Sequence, residues 1–202
     1  MTPPPSWTET PTLAGRHVTL RPLAREDRDA LVEASSDGRL WELFYSLAPG
    51  PESVDLWMDH SFREKAQGRG MPFTVLDAEG RVAGSTRYLR MNPANRRVEI
   101  GGTFYARRVQ RTGLNTEAKL LLLEYAFETL GCVCVQLRTD WFNKASQRAI
   151  ERLGAKKDGV LRGQRIMPDG RVRDTVVYSI LEQEWRGVRQ NLEMMLARGD
   201  AK

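Results

Sequence analysis

The sequence predicts an α/β fold: a mixed, mostly antiparallel twisted sheet with helices flanking it. Strand-like segments with period-two alternation follow one another in the middle of the chain, and segments with helical spacing lie on both sides of them. A long apolar-rich segment, LNTEAKLLLLEYAFETL, separates the strand-like runs RRVEIGGTFY and CVCVQLRTD. Because a helix between two strands normally returns the chain parallel to the first strand, this stretch predicts a central βαβ crossover.

The first elements follow from local patterns. The opening MTPPPSWTETPT is rich in Pro and Thr, which predicts an extended arm over residues 1–14 and a fold that starts near Arg16. RHVTLRPL alternates as a strand does, and LAREDRDALVEASS has helical spacing. A second helix is predicted for SVDLWMDHSFREKAQ, between the turn-like APGPE and the glycine-rich GRG.

The remaining elements complete a single domain over residues 15–202. Two strands in MPFTVLDAEGRVAGSTRYLRMN are joined by a hairpin turn at 77–80, and RRVEIGGTFY makes a third antiparallel strand. After the crossover, NKASQRAIERLG predicts a short helix closed by Gly154. Two more strands surround the turn at 167–170, and LEQEWRGVRQNLEMMLARG predicts a C-terminal helix.

Composition limits the class of partner. The chain of 202 residues is 41% hydrophobic and 28% charged, which is typical of one globular domain. Lys and Arg exceed Asp and Glu by 31 to 26, so the surface attracts anions: nucleic acid, acidic protein or a phosphate-bearing cofactor. The basic residues are dispersed among acids with no arginine-rich run, which disfavours a nucleic-acid partner.

Cysteine and histidine usage predicts a reduced protein without a metal site. Cys132 and Cys134 are two residues apart on a predicted strand, a poor geometry for a disulfide between them, so we expect a cytoplasmic protein. His17 and His60 lie too far apart in the chain to suggest a metal site. No apolar run approaches the ~18 residues that span a bilayer, so no leader or membrane partner is expected.

The segment VQRTGLNTEAK begins the crossover helix and has the properties of an anion site. A helix start carries unpaired backbone N–H groups and the positive end of the macrodipole. Gly113 permits a tight turn and close approach of a ligand, while Thr112, Asn115 and Thr116 can cap the turn. The loop therefore suits a pyrophosphate, although a plain capped helix start explains the same residues. It lacks the Lys of a P-loop and the further glycines of a dinucleotide fingerprint.

Two motifs carry a family resemblance. Gln110–Asn115, QRTGLN, resembles the Q/R-x-x-G-x-G/A signature with which the GNAT superfamily of N-acetyltransferases binds the pyrophosphate of acetyl-coenzyme A. Asn143–Ala155, NKASQRAIERLGA, resembles the next cofactor-contacting helix of that superfamily. The first and last segments look like those of the Rim-type ribosomal-protein N-acetyltransferases. The chain departs from the signature at Asn115, where glycine or alanine is usual.

The resemblance implies acetyl-CoA as a co-substrate, no metal, and a set of cofactor contacts. Family members splay the two parallel strands beside the crossover, so that backbone groups bind the pantetheine arm. The residues implied for the pantetheine are Phe104, Tyr105 and Ala106, those for the pyrophosphate are Arg111, Thr112, Gly113, Leu114, Asn115 and Thr116, and those at the start of the short helix are Asn143 and Ser146. A plain N-cap is the alternative role of Asn143.

The resemblance also implies direct acetyl transfer with a carboxylate as base. Glu99 is the candidate base, and its alternative role is a strand residue paired with Arg96 or Arg97. The tyrosine that usually protonates the thiolate is replaced here by Ile150. Ser146, one turn earlier, is the candidate donor, or else it caps the helix or bonds the cofactor. Tyr105 and Tyr178 are further candidates for the proton donor.

The implied acceptor is a primary amine, either a protein or peptide N-terminus or a small molecule. The alternative function is a CoA-binding module without catalytic activity, suggested by the absent tyrosine and by Asn115. Trp41, Phe44 and Tyr45 precede the APGPE loop and are expected either to form the acceptor wall or to pack locally. The last helix is expected to pack on its own domain or on a second copy as a homodimer.

Overall fold

Eight strands form one sheet in which a single neighbouring pair is parallel. The computed structural model describes residues 5–200, and the sheet has the order β1-β2-β3-β4-β5-β6-β8-β7. The strands are β1 Leu13–Ala14, β2 Val18–Pro22, β3 Gly70–Asp77, β4 Val82–Asn92, β5 Arg97–Tyr105, β6 Cys134–Asp140, β7 Lys156–Ile166 and β8 Val172–Leu181. The α/β class and the mostly antiparallel sheet are therefore confirmed.

Five helices cover the two faces of the sheet. They are α1 Arg28–Ser36, α2 Val54–Ala66, α3 Leu114–Glu124, α4 Lys144–Arg152 and α5 Trp185–Asp200. On one face α3 and α5 pack over the main core, whose largest fully buried side chains include Tyr88, Tyr178 and Phe73. On the other face α1 and α2 enclose a smaller cluster with Leu31, Met58 and Phe104.

The start of the fold differs from the expectation. Residues 1–4 of the predicted arm lie outside the described part of the chain. Within residues 5–14, Trp7 is buried in the main core and Leu13 pairs with Leu20 of β2. The Tyr125 hydroxyl donates to the Ser6 carbonyl at 2.8 Å. The expectation that the fold starts near Arg16 is therefore wrong, because an indole can be buried whatever the proline content around it.

The crossover is confirmed by the register of its strands. Arg97 to Ile100 of β5 pair in parallel with Cys134 to Leu137 of β6, and α3 connects them. A π-helical turn over Tyr125–Thr129 extends α3 before the chain enters β6. Leu114, Ala118 and Leu122 of α3 face the main core, as the helical spacing of the segment predicts.

The C-terminal helix packs on its own domain. Trp185 is buried and stacks on Phe127, with ring centroids 5.4 Å apart. Its indole N–H donates to Glu128 Oε1 at 2.9 Å. Met194 is 45% exposed, so only part of the predicted packing face of this helix is used. Cys132 and Cys134 are free thiols.

One buried carboxylate attaches the first strands to α3. The Glu117 side chain accepts hydrogen bonds from the backbone N–H groups of Arg16 at 2.9 Å, His17 at 2.6 Å and Val18 at 3.0 Å. Gly15 must lack a side chain here, because a Cβ on it would lie 2.4 Å from the Glu117 carboxyl carbon. The turn before β2 is therefore built around this carboxylate.

We predict that Glu117→Ala lowers the free energy of unfolding by about 3 kcal/mol, because it leaves three backbone donors without their charged acceptor. Gly15→Ala alone is expected to cost about 2 kcal/mol through its clash with the carboxylate. In the Glu117→Ala background that clash is absent, so Gly15→Ala should cost almost nothing there. Urea unfolding of the four proteins gives the double-mutant cycle.

Glu33→Ala is the matched control, since Glu33 is exposed on α1, and its effect is expected to stay within about 0.5 kcal/mol. Additive losses in the cycle would show that Glu117 does not determine the intolerance of position 15.

Candidate functional site

The parallel strands β5 and β6 separate after four residue pairs, and the gap between them is the centre of the candidate site. Pairing ends at Ile100 with Leu137, whereas β5 continues beside β4 up to Tyr105 with Gly84. Between these points β5 bulges at Gly102, which has φ 57°. A Cβ on Gly102 would lie 2.5 Å from Arg87 Nε, so the bulge requires glycine. Among residues 5–200, no strand pairs with the edge of β5 that faces away from β4 at these positions.

The loop between β5 and α3 is ordered by contacts with the end of α1. A 3-10 turn spans Arg107–Val109, and its first two N–H groups bond to Asp37, Arg107 to the carbonyl at 3.1 Å and Arg108 to Oδ2 at 2.8 Å. The Thr112 hydroxyl then donates to the Val109 carbonyl at 2.7 Å and accepts from Leu114 N–H at 3.3 Å. These bonds fix the loop that leads from β5 into the start of α3, next to the gap between the strands.

Gly113 is the N-cap residue of α3, and the His17 ring lies over it. A Cβ on Gly113 would lie 3.0 Å from the imidazole. The absence of a side chain at this position therefore leaves room for the His17 ring and for an approaching ligand. Arg111 has φ 63° and an exposed side chain. Leu114 is buried, so it offers only its backbone to a ligand.

The rest of the predicted pyrophosphate set continues into α3. The Asn115 side chain is half-buried. The hydroxyl of Thr116 is engaged by α4, because it accepts from the Arg152 guanidinium at 3.2 Å. The first turn of α3 therefore carries a cation from a neighbouring helix in addition to its own positive dipole end.

The predicted pantetheine residues differ in what they can offer. Phe104 packs its ring into the α1–α2 cluster, 6.0 Å from the Trp57 ring, and its backbone pairs with Ser85 of β4. The Tyr105 carbonyl accepts from Gln110 Nε2 at 2.9 Å. The Ala106 N–H bonds to Ala83 O at 2.8 Å, and its carbonyl accepts from Val109 N–H at 3.1 Å. Both backbone groups of Ala106 are thus already hydrogen-bonded within the protein, and its contact with the pantetheine stays a prediction.

Asn143 and Ser146 begin α4 at the end of β6. The Asn143 side chain caps the helix by accepting from Ser146 N–H at 2.9 Å, which is its alternative role from the sequence. The buried Asp140 fixes this turn, because its Oδ1 accepts from Phe142 N–H at 2.9 Å. Its other oxygen pairs with Arg171 at 2.7 Å. Ser146 thus lies on a rigid turn beside the gap.

Glu99 lies on the face of β5 opposite α3. Its neighbours Val98 and Ile100 are in the main core, so alternation places Glu99 on the α1–α2 side. Glu99 is 6% exposed. Its carboxylate pairs with Arg90 at 3.0 Å and with Arg138 at 3.2 Å, rather than with Arg96 or Arg97.

The surroundings of Glu99 set its protonation. Burial raises the pKa of its carboxyl above the ordinary value, and the charges of Arg90 and Arg138 oppose that rise only in part. The carboxylate faces a cavity of ≈ 240 Å³. The other lining residues are Arg90, Asn92, Asn95, Arg97, Val98, Gln136 and Arg138.

Tyr178 and Tyr105, the further candidates for the proton donor, do not present free hydroxyl groups at the gap. Tyr178 is fully buried, and its hydroxyl donates to Glu151 at 2.9 Å, which with burial raises its pKa to about 12. The Tyr105 hydroxyl is buried without a hydrogen-bond partner among the described residues, and burial raises its pKa. Ile150 is buried in the main core.

The expected acceptor wall lies close to the α4 turn. Phe44 stacks near Phe142 at 5.9 Å between ring centroids, and the Arg171 guanidinium lies over Phe44 at 5.0 Å. Tyr45 meets Phe44 edge-on at 5.0 Å. Trp41 packs beneath Gly50 instead, which is the packing alternative.

Sequence reasoning missed several residues that the fold brings to this site. Nothing in the sequence links His17 to Gly113, because they are about a hundred positions apart. Arg90 and Arg138 come from strands on either side of β5, and only the register pairs them with Glu99. Lys119 left a signal: it lies in an apolar run, three residues before Leu122 and four before Leu123. That spacing puts a lysine on the buried face of α3.

Two features are absent from the described residues 5–200. No group of three or more His, Cys, Asp or Glu side chains there is arranged to hold a metal ion. No helix in the same range is both long and apolar enough to cross a membrane.

Comparisons with known proteins agree with this geometry. The "Acetyltransferase (GNAT) domain" family matches residues 17–156. The Bacillus subtilis protein named "Putative ribosomal N-acetyltransferase YdaF" is 29% identical over 177 residues, covering 85% of this chain and 94% of that protein.

Solved structures share the fold. A GCN5-related N-acetyltransferase from Brucella melitensis is 31% identical, with a TM-score of 0.81 over 93% of this chain and 86% of that one. RimJ of Mycobacterium smegmatis, solved in complex with CoA-disulfide, is 19% identical with a TM-score of 0.77, covering 94% and 96% of the two chains. The latter likeness shows the fold alone. Since the family match spans well over half of the sequence, the chain belongs to the GNAT acetyltransferase family, as an N-acetyltransferase similar to its Rim-type branch.

Proposed function

We propose that the chain transfers an acetyl group directly from acetyl-CoA to a primary amine, on a protein or peptide N-terminus or on a small molecule. The observation that carries the proposal is the gap between β5 and β6, which joins an anion-binding helix start to a buried carboxylate. The likeness to a protein named as a ribosomal N-acetyltransferase supports an N-terminal amine as one class of acceptor.

The gap fits coenzyme A by its donor set. The start of α3 supplies backbone N–H groups for a pyrophosphate, with Arg111 beside them, along Arg111, Thr112, Gly113, Leu114, Asn115 and Thr116. The edge of β5 that faces away from β4 offers peptide groups of Thr103 and Tyr105 for an amide-bearing arm. Asn143 and Ser146, at the start of α4 after the end of β6, are proposed as further contacts of the arm. When bound, acetyl-CoA supplies the activated acetyl thioester.

Glu99 is proposed as the general base for the acceptor. A carboxylate whose pKa is raised accepts a proton better near neutral pH than an ordinary carboxylate does. The three arginines that line its cavity, Arg90, Arg97 and Arg138, disfavour a further positive charge there. An amine in this cavity is therefore held in its neutral, nucleophilic form. Ser146 is proposed to hydrogen-bond the thioester sulfur.

We predict that Gly113→Trp weakens CoA binding about 100-fold, or roughly 2.7 kcal/mol, because the indole covers the N–H groups of the helix start. Asn115→Asp is expected to weaken binding about tenfold, because it adds a negative charge beside the pyrophosphate in an isosteric residue. Isothermal titration calorimetry with CoA measures both changes.

Gly159→Trp is the control for the calorimetry, since a Cβ on Gly159 meets nothing within 4 Å. Its affinity should equal that of the wild type. Equal CoA affinity in all three variants would mean that the helix start only caps itself.

We predict that Glu99→Gln lowers kcat about 100-fold and removes the acidic limb of the kcat/KM profile. A base must be ionised to accept a proton, so wild-type activity rises as the pH passes upward through the Glu99 pKa. Because burial raises that pKa, the midpoint should lie above the ordinary value of about 4.3. Steady-state rates over a pH series, with acetyl-CoA and a panel of peptide and small-molecule amines, measure this.

Glu79→Gln serves as the comparison, because Glu79 is exposed in the turn between β3 and β4. An unchanged acidic limb in Glu99→Gln would leave Glu99 as an ion-pair partner of Arg90 and Arg138. CoA binding without transfer to any amine would favour the alternative of a binding module.

A further inference from the structure

Lys119 is a buried lysine for which the mechanism above has no use. It lies on α3, is 6% exposed, and its Nζ donates to the Thr103 hydroxyl at 3.2 Å. Thr103 in turn shares a hydrogen bond of 2.7 Å with the Thr86 hydroxyl of β4. Among the described residues no carboxylate pairs with Lys119. Burial without a counter-charge lowers the pKa of its ammonium to about 7.

The charged groups around α3 are engaged elsewhere. On α3 itself Glu117 binds the backbone before β2, and Glu124 pairs with Arg189 of α5 at 3.2 Å. From α4, Arg152 bonds to Thr116. From the turn before β2, the His17 ring lies over Gly113 at the first turn of the helix.

The remaining titratable group on this face of β5 is the Tyr105 hydroxyl, which is neutral because burial raises its pKa. Lys119 therefore titrates without a nearby formal charge. Burying an ammonium without an anionic partner is unfavourable in free energy. We therefore expect a bound ligand to supply the anionic partner.

The position of Lys119 identifies that ligand. Its partner Thr103 follows the Gly102 bulge, three residues beyond the last pairing of β5 with β6. Thr103 is exposed in the gap proposed for the pantetheine arm. Lys119 thus approaches the gap from the face of the sheet that α3 covers, whereas Glu99 approaches it from the opposite face. On the proposed function the pyrophosphate of coenzyme A lies at the start of α3, so the group left to become anionic beside Thr103 is the thiol.

We propose that Lys119 is the proton donor and counter-charge for the coenzyme A thiolate, in place of the tyrosine that is absent at Ile150. The proposal rests on acetyl-CoA as the donor substrate. As the amide C–N bond forms, the C–S bond breaks and its electron pair goes to sulfur. Lys119 Nζ gives a proton to that sulfur and remains as a neutral amine, which regains a proton from solvent. Glu99 takes the proton lost by the acceptor nitrogen.

The test measures the acidity of the bound thiol without any turnover. Free CoA is bound to the full-length protein, and thiolate absorbance in the ultraviolet is recorded against pH. Desulfo-CoA supplies the baseline for protein thiols. The bound thiol and Lys119 titrate as a coupled pair, because a thiolate beside the ammonium raises the lysine pKa and so keeps Lys119 charged where the thiol ionises. An opposite charge within a few ångströms shifts a pKa by about 1–3 units, so the thiol pKa of CoA bound to the wild type should be lowered by that amount. Lys119→Met, which keeps the apolar stem, should bind CoA but abolish the shift.

Two further variants separate the possible causes. Lys65→Met on α2 is the matched control and should behave as the wild type. Ser146→Ala should retain most of the shift, since a hydroxyl brings no charge. A thiol pKa that binding leaves unchanged in the wild type would overturn the proposal, even if Lys119→Met failed to fold. A shift that survives Lys119→Met, or that only Ser146→Ala removes, would overturn it as well.

Calorimetry keeps the two proposals apart. Normal CoA affinity with an unshifted thiol would overturn the role of Lys119 and leave the acetyltransferase mechanism standing. Loss of affinity in Lys119→Met without a change in thiol acidity at saturation would assign Lys119 to binding the arm and overturn its role as donor. No CoA binding by the folded wild type would overturn both.

Discussion

The rest of the site depends on one parallel strand pair that stays together for only four residues. Parallel pairing of β5 with β6 requires a crossover, and that crossover is α3, whose start must then lie at the carboxyl ends of both strands. Separation after Ile100 and Leu137 opens the sheet at the same place. A helix dipole and an unpaired strand edge are thus brought together by topology, before any particular side chain is considered.

Side-chain alternation then divides the site into two faces. Glu99 lies on the α1–α2 face, among arginines from β4, β5 and β6. Thr103, after the Gly102 bulge, lies on the α3 face within reach of Lys119. Without the bulge the positions after it would exchange faces, because side chains alternate strictly along a strand. Glycine at 102, which Arg87 requires, therefore determines which groups each face presents.

The sequence was sufficient for most of the elements and for the start of α3, because both have local signals. Period-two and helical spacing located β2 to β8 and all five helices, and the glycine in QRTGLN marked the helix start. Long-range contacts left no such signal: the burial of Trp7, the His17 ring over Gly113, and the pairing of Glu99 with Arg90 and Arg138 depend on register. Asn143 was ambiguous from sequence, since a capping side chain and a ligand side chain use the same amide.

Direct transfer creates two opposite proton demands within one small volume, and the fold keeps them apart. The acceptor nitrogen must lose a proton while the sulfur must gain one. If one group served both, it would need to be a strong base and a strong acid at the same pH. Here a carboxyl whose pKa burial raises lies on one side of β5, and an ammonium whose pKa burial lowers lies on the other. Burial thus shifts the two pKa values toward neutral pH from opposite directions. The strand between the two groups prevents the carboxylate and the ammonium from forming an ion pair. On the proposed assignments, the same desolvation that makes each group unfavourable in the free protein makes it effective once acetyl-CoA fills the gap.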